Sequence, residues 1–462
     1  MNNRNEPHGY TQFHRDTLVK IFGTGYCAVL NLLLAAGLLE MNQVDPETGE
    51  VKPQGYYSKT HATAKSYRIP QHLHEPGKFY KLETINQQNK VLINKIERIK
   101  GMSTVQSEKR EYYRNYVLAQ MDQVVLLDNE HSRSVIGLDC SKRGVVYTDQ
   151  YATARIHGFN YDPVKRLVMC DFGTRLHSDI TNCLKQMRED YRFGGDLESK
   201  WAELDIGASQ PWFLSIITAA LIKKFVPECA DAIPAFEKYD QHHDMLRFRK
   251  LCAKPKHGIY EAFRDAYNKL YRANFTRQDA KRICFRAFYS NYEKHEKLTL
   301  DYCKERVTLA YQALGAAEEN RDFVRSFGYR DQYNDAEQLV KAANKRVKLA
   351  ESLLFSHRCI AMFKAKFRGV YDLLAEIKKL KWDFERGTKT RYTKYYANPA
   401  LLAQRIEASI VYTVVVKALV DAGITRVVTI HDSFCVREQD AAKAKKIIQR
   451  AFAQLNLKPN LK

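Results

Sequence analysis

The sequence predicts an α+β fold, predominantly helical, with an antiparallel sheet assembled from two distant stretches of chain. Three observations lead there. Residues 133–206 carry short β-like runs: "SVIGLDC", "GVVYTD", "LVMCDFGTRLHSD" and "AELDIGAS". Residues 211 to about 395 are helical in spacing and strongly basic. After a further apolar helix, "TRVVTIHDSFCVRE" (425–438) reads as two strands joined by a tight turn, with apolar and β-branched residues on either side of a His-Asp pair. A single sheet drawing on both regions would bring together carboxylates that are far apart in sequence.

Composition narrows the class. The chain has 462 residues, 45% of them hydrophobic and 11% aromatic, enough to bury a sizeable core. Lys and Arg number 74 against 53 acidic residues, a formal charge of +21, which points first to a polyanionic partner such as nucleic acid. Ten cysteines are scattered singly, without zinc-finger spacing, as expected of reduced thiols in a cytoplasmic protein. The N-terminus shows no signal-peptide core, and the longest apolar run, "CAVLNLLLAAGLLEM" (27–41), is short and interrupted by Asn31. The expectation is a soluble protein with no membrane partner.

The elements follow in order. Residues 1–80 mix short helical patterns with the polar stretch "NQVDPETGEVKPQGYYSK", a small N-terminal domain. Residues 81–129 carry helix-period apolar positions broken by "GMSTVQSE", which predicts a helical pair. The β-rich region lies within 130–220 and the helical, basic block within 221–395. Residues 396–462 supply the apolar helix, the hairpin and a last helix.

Four stretches carry candidate chemistry. In "WAELDIGASQPW" a strand ends at Asp205, with Ser209 at the expected N-cap and Pro211 in the first helical turn. In "TRQDAKRICFRAFYS" Thr276 and Asp279 resemble a capping box, and Arg277, Lys281, Phe285 and Tyr289 recur every four residues beside Arg282. A stripe running from cations to aromatics suits a triphosphate at one end and a base at the other. As an ordinary amphipathic helix it would put the cations on its buried side, a costly arrangement without anions. "LLAQRIEASIVYTVVVKALVDAG" is an apolar helix with Gln404, Arg405 and Glu407 near its start and Gly423 at its end. The hairpin places His431 and Asp432 at its turn, where Asp is also favoured for local hydrogen bonds. With Asp205 it offers two strand-end carboxylates. Such oxygen ligands suit a pair of Mg²⁺ ions, with Mn²⁺ as the alternative, roughly 4 Å apart in phosphoryl transfer.

The order of these pieces resembles the superfamily of single-subunit polymerases, shared by family A DNA polymerases and phage-type RNA polymerases. "DIGASQ" resembles motif A, "RQDAKRICFRAFYS" the R-x3-K-x7-Y of motif B, and "HDSF" motif C; "GTRLHSDITNCLKQMR" (173–188) is similar to the T-x-x-G-R segment, and "QRIEAS" to the helix start before motif C. The resemblance spans 173–438 and implies a right-hand architecture: palm at 130–220 and 396–462, fingers at 221–395, and a thumb-like helical pair at 81–129. It implies that Asp205 and Asp432 bind two Mg²⁺, with the carbonyl of Ile206. Lys281 would meet the phosphates and protonate pyrophosphate, Arg277 and Arg282 would neutralise charge, and Phe285 and Tyr289 would pack at the nascent pair. Thr174, Arg175, Gln404 and His431 would hold primer and template.

Departures from pattern bear on the product. The Glu that blocks a ribose 2′-hydroxyl in family A DNA polymerases is replaced by Gln210, or by Trp212 in the other alignment, and Ser290 stands where Gly is usual. "KR" at 281–282, "HDSF" and "QRIEAS" lean towards RNA polymerases; Phe285 and the short spacing from Arg175 to Asp205 lean towards DNA polymerases. The reading that results is a template-directed RNA polymerase of a phage or mobile element, acting in the host cytoplasm on nucleoside triphosphates, a DNA template and a nascent strand. The alternatives are a DNA polymerase without proofreading and a non-catalytic nucleic-acid-binding subunit. The small N-terminal region leaves room for an accessory loading protein. Basic residues of 341–396, with Tyr392, Tyr395 and Tyr396, are candidates for a nucleic-acid channel.

Overall fold

The computed structural model describes residues 11–12, 18, 25–43, 51, 65–68, 70, 108–144, 146–161, 168–170, 172–327, 330–382 and 394–462. The first member of the expected helical pair, most of the N-terminal domain and Tyr392 lie outside them. The chain divides into two compact units. The described elements are predominantly helical with small antiparallel sheets, an α+β composition.

The first unit comprises 1–169, 176–203 and 424–442. Near its N-terminus β1 (Thr11–Gln12), β2 (Glu40–Met41) and β3 (Ser66–Arg68) form a sheet in the order β1-β3-β2. Leu18, Leu30 and Tyr67 make a small core there. After the helix Glu108–Asp122, β4 (Val124–Leu126) pairs antiparallel with a later strand, β7 (Tyr191–Phe193). β5 (Val168–Met169) pairs with β6 (Leu176–His177).

The β-rich expectation fails in the first half of this region: "SVIGLDC" lies in the helix Glu130–Arg143. The local signals explain why. The Asn129 side chain accepts from the Ser132 N–H and Ser132 returns the bond, while Gly144 ends the helix at φ 66. Val135, Ile136 and Cys140 bury one face and Leu138 is exposed. "GVVYTD" likewise runs into the helix Asp149–Tyr161.

The third sheet has the order β8-β10-β9 and draws on both distant regions, as expected: β8 is Trp201–Asp205, β9 Val427–Ile430 and β10 Ser433–Arg437. Ser433 faces Ile430, so the hairpin turn is only His431–Asp432. All of β9, and β10 up to Val436, are buried, which leaves the turn as the place a charge can sit half-exposed.

The second unit comprises 170–175, 204–423 and 443–462, and is helical. Its long helices Leu300–Ser326 and Arg330–Lys366 pack along one another over Ala310, Val347 and Ala350. Phe248, Phe263, Phe288, Phe363 and Phe367 form an aromatic core, with Phe263 stacked on Phe367 at 5.7 Å and Phe288 edge-on to Phe363 at 5.2 Å. The helix Asn398–Ile410 runs on through a π-helical stretch, Val411–Val416, to Lys417–Asp421, where Gly423 closes it at φ 80. The span Tyr395–Asp421 is long and apolar enough to cross a membrane; 83% of its most apolar window is buried within the protein, as in a core helix.

His295 sits in this unit beside His357, with ring centroids 6.1 Å apart. Burial, helped by His357, lowers its pKa from 6.5 to about 4. Between those values the unfolded chain takes up a proton that the folded chain refuses. Stability is therefore full above pH 6.5 and is lost as pH falls towards 4. The thermal midpoint is expected to drop across this window, and to drop less in His295→Phe. An unchanged slope in the variant would show that this imidazole titrates freely in the folded protein.

Candidate active site

The second unit holds eleven of the thirteen residues named from sequence: Thr174, Arg175, Asp205, Ile206, Gln210, Arg277, Lys281, Arg282, Phe285, Tyr289 and Gln404. His431 and Asp432 belong to the first.

The helix Arg277–Tyr289 opens with the expected capping box, Asp279 accepting from the Thr276 N–H and hydroxyl. Its buried face is Ala280, Ile283, Cys284, Ala287 and Phe288. Arg277, Lys281, Arg282 and Phe285 lie on the exposed side. This corrects the sequence argument, which set the cations against a buried face: here they carry no desolvation cost, and the helix by itself demands no anion. Arg277 donates to Glu261 at 2.6 Å and Arg282 lies 3.8 Å from Asp279, while Lys281 makes no ion pair among the described residues. Arg277 also lines a small pocket with Gly207, Lys254, Tyr260, Asn460 and Lys462.

Ser290 ends this helix at φ −73 and ψ 161, ordinary extended backbone. No glycine is required there, so serine at this position carries no backbone cost. The Ser290 carbonyl accepts from Lys378 at 2.7 Å, as does that of Tyr396 at 3.0 Å. Burial pushes this ammonium's pKa well below the usual lysine range.

A second cluster is built around Glu407, which sequence reasoning noted only as a polar group. Its side chain is 1% exposed. One oxygen, Oε2, accepts from Arg175 at 2.6 Å and from the Gln210 side-chain amide at 3.3 Å. Burial raises the Tyr289 phenol's pKa; Arg175 opposes the rise and Glu407 adds to it, and the hydroxyl has no hydrogen-bond partner among the described residues. Arg405, on the same helix, donates to the Phe172 carbonyl at 3.0 Å and to Glu228 at 2.9 Å. These bonds hold the segment 172–175, in which Thr174 is buried at φ 52 and Gly173 abuts Gln404.

Asp205 is half-buried at the end of β8. It exchanges backbone bonds with Lys462, and the Gly207 N–H donates to Asn460 at 2.8 Å. The Asp205 carboxylate and the Ile206 carbonyl are oxygen donors of the hard type Mg²⁺ accepts. The following helix, Ser209–Ile216, starts from Ala208 at φ 53 without a side-chain cap; Ser209 is its first residue rather than its N-cap. Trp212 is core, edge-on to Phe213 at 4.8 Å and to Phe452 at 5.6 Å, whereas Gln210, the other position considered, is polar and half-buried. In the first unit His431 adopts φ 55 and its ring meets His177 at 5.1 Å.

In comparison with known proteins, no family model matches the chain and no curated protein matches it.

A Cβ added at Gly173 would lie 2.8 Å from the Gln404 Cβ, an atom that cannot swing away. Gly173→Ala is expected to cost about 1–3 kcal/mol in a urea melt. A cost near zero would mean that the 172–175 segment is not held against this helix.

Proposed function

We propose that the protein is a template-directed nucleotidyltransferase, an RNA polymerase of right-hand architecture. One observation carries this reading most: four segments that resemble separate polymerase motifs converge on one buried cluster, through Arg175, Gln210, Tyr289 and Glu407. Nothing in local sequence requires them to meet. The exposed cationic face of the Arg277–Tyr289 helix and the net charge of +21 suit phosphates and a nucleic-acid partner.

On this reading Arg277, Lys281 and Arg282 receive the triphosphate, and Lys281 delivers a proton to the departing pyrophosphate. Phe285 and Tyr289 bound the space for the nascent pair. Arg175, stiffened by Glu407, Thr174, Gln404 and His431 contact primer and template. Asp205, the Ile206 carbonyl and Asp432 are the oxygen donors assigned to two Mg²⁺. When bound, these ions would lower the pKa of an attacking hydroxyl and neutralise charge on the leaving oxygen. No protein nucleophile is needed, because positioning and charge stabilisation supply most of the rate in this chemistry.

Primer extension on a defined DNA template, with ribo- and deoxyribonucleotides offered separately, tests the reading. Ribonucleotide extension is expected, lost in Asp432→Ala and reduced about 10²–10⁴-fold in Lys281→Ala. Extension with deoxyribonucleotides alone would make it a DNA polymerase. No extension with either would leave a nucleic-acid-binding subunit.

A further inference from the structure

The basic residues of 341–396 form one group in the sequence, and the structure divides them. Arg358 lies over the Tyr271 ring at 5.1 Å, Lys364 pairs with Glu296 at 3.1 Å and Arg368 with Asp372 at 2.9 Å, while Lys378 is buried against two carbonyls. Lys341, Lys345 and Lys348 differ: all three are exposed and make no ion pair among the described residues. On the helix Arg330–Lys366 their spacing continues through Ser352 and Phe355, so these five positions share one face. The Arg277–Tyr289 helix lies against the far part of that face. Arg286 donates to the Ser352 hydroxyl at 3.0 Å, and the Arg282 guanidinium sits 5.3 Å from the centre of the Phe355 ring. The near part, with the three lysines, is open to solvent. Acids that could neutralise them are turned elsewhere. Glu337 stands four residues before Lys341, the favourable order for a helical ion pair, and Glu351 three after Lys348. Glu351 instead accepts from Tyr311 at 2.6 Å, and Glu337 interacts with Arg321 on the same neighbouring helix. The result is a line of cations from Arg282 and Arg286 through Lys348 and Lys345 to Lys341, about 21 Å long at the rise of an α-helix.

We propose that the Lys341–Lys345–Lys348 stripe is a docking surface for the phosphate backbone of a nucleic-acid duplex, outside the candidate active site and continuous with its cationic helix. Charge complementarity names a polyanion. The duplex is favoured because residues 341–352 contain no aromatic side chain. Sites for single strands combine cations with rings on which bases stack, whereas a line of lysines alone meets phosphates and reads no sequence. The proposal rests on the nucleic-acid partner of the reading above and not on its chemistry.

The test is duplex DNA binding by the full chain, read as the slope of log Kd against log salt between about 50 and 200 mM. Each lysine that meets a phosphate adds about one to that slope. Lys341→Gln, Lys345→Gln and Lys348→Gln combined are therefore expected to lower it by about two to three, equally on two unrelated sequences. A control with the same change in charge, Lys223→Gln, Lys224→Gln and Lys250→Gln, removes exposed lysines elsewhere in the unit and is expected to lower it by less than about one. If the combined stripe variant does not fold, its three single variants decide, each by a loss of about one. An unchanged slope in the stripe variants, or an equal loss in the control, overturns the inference and leaves the nucleic-acid partner standing. Loss of single-strand binding with duplex binding retained overturns the duplex as occupant. A wild type that binds no duplex overturns the inference and takes the nucleic-acid partner of the polymerase reading with it.

Discussion

The arrangement of the helical unit depends on a buried negative charge. Glu407 lies on an otherwise apolar helix, and its side chain is 1% exposed. An isolated carboxylate at such a site would protonate or unfold its surroundings. Arg175 and Gln210 make it tolerable, and each must come from a different part of the chain to do so. The charge therefore acts as a registration device: the 172–175 segment, the turn after β8 and the helix carrying Glu407 can adopt their mutual positions in few ways that keep it satisfied. Arg405 repeats the logic, using Glu228 and the Phe172 carbonyl, so the same short segment is fixed twice from the same helix.

The cationic helix obeys a different constraint. Phe288 anchors it in the aromatic core against Phe263, Phe248 and Phe363, and this burial settles which face points outward. With the anchor set, Lys281, Arg282 and Phe285 are displayed rather than packed. Lys378 then fixes the far end of the helix by bonding the Ser290 carbonyl, and ties it to the turn that starts the Glu407 helix through the carbonyl of Tyr396. A rigid element with an open charged face is what a triphosphate site needs. Preorganised cations cost no reorganisation when the ligand arrives.

Local chemistry is legible in the sequence; long-range chemistry is not. The Thr276–Asp279 box and the Gly423 terminus can be read directly, because each involves residues within one turn of one another. The same kind of signal, Asn129 with Ser132 and Gly144, outweighs the β-branched pair Val135–Ile136 that suggests a strand. Ser209 is not the N-cap its neighbours suggest, because the turn it follows is closed by backbone pairing with residues 460–462, which no local pattern reveals. Glu407 gives no signal as a hub: its partners lie 232 and 197 residues away, and a single acidic residue in an apolar helix has many explanations. The two arms of the hairpin are legible as buried strands, and their near-complete burial explains why the charge is confined to a two-residue turn.

Half of the positive-φ non-glycine positions among the described residues fall in segments to which chemistry is assigned; the other half are His257, Arg272 and Asn456. Among the described residues, non-glycine positions with positive φ include Thr174, Ala208 and His431, at 52, 53 and 55°. They sit in the segments resembling the T-x-x-G-R element, motif A and motif C respectively. A β-branched threonine in this region is a genuine outlier, and each such residue costs on the order of 1–3 kcal/mol. Glycine would relieve all three and is absent from each. At 431 a two-residue hairpin favours glycine or asparagine at the first turn position on local grounds, yet histidine occupies it and meets His177. Strain of this kind persists when the surrounding structure over-determines it: the Gln404 contact and the Arg405 bonds do so beside Thr174, the 460–462 pairing beside Ala208, and the buried ladder of β9 and β10 beside His431. The aspartates and the arginine of the proposed site are thus held by turns that the rest of the fold enforces and that their own sequences do not favour.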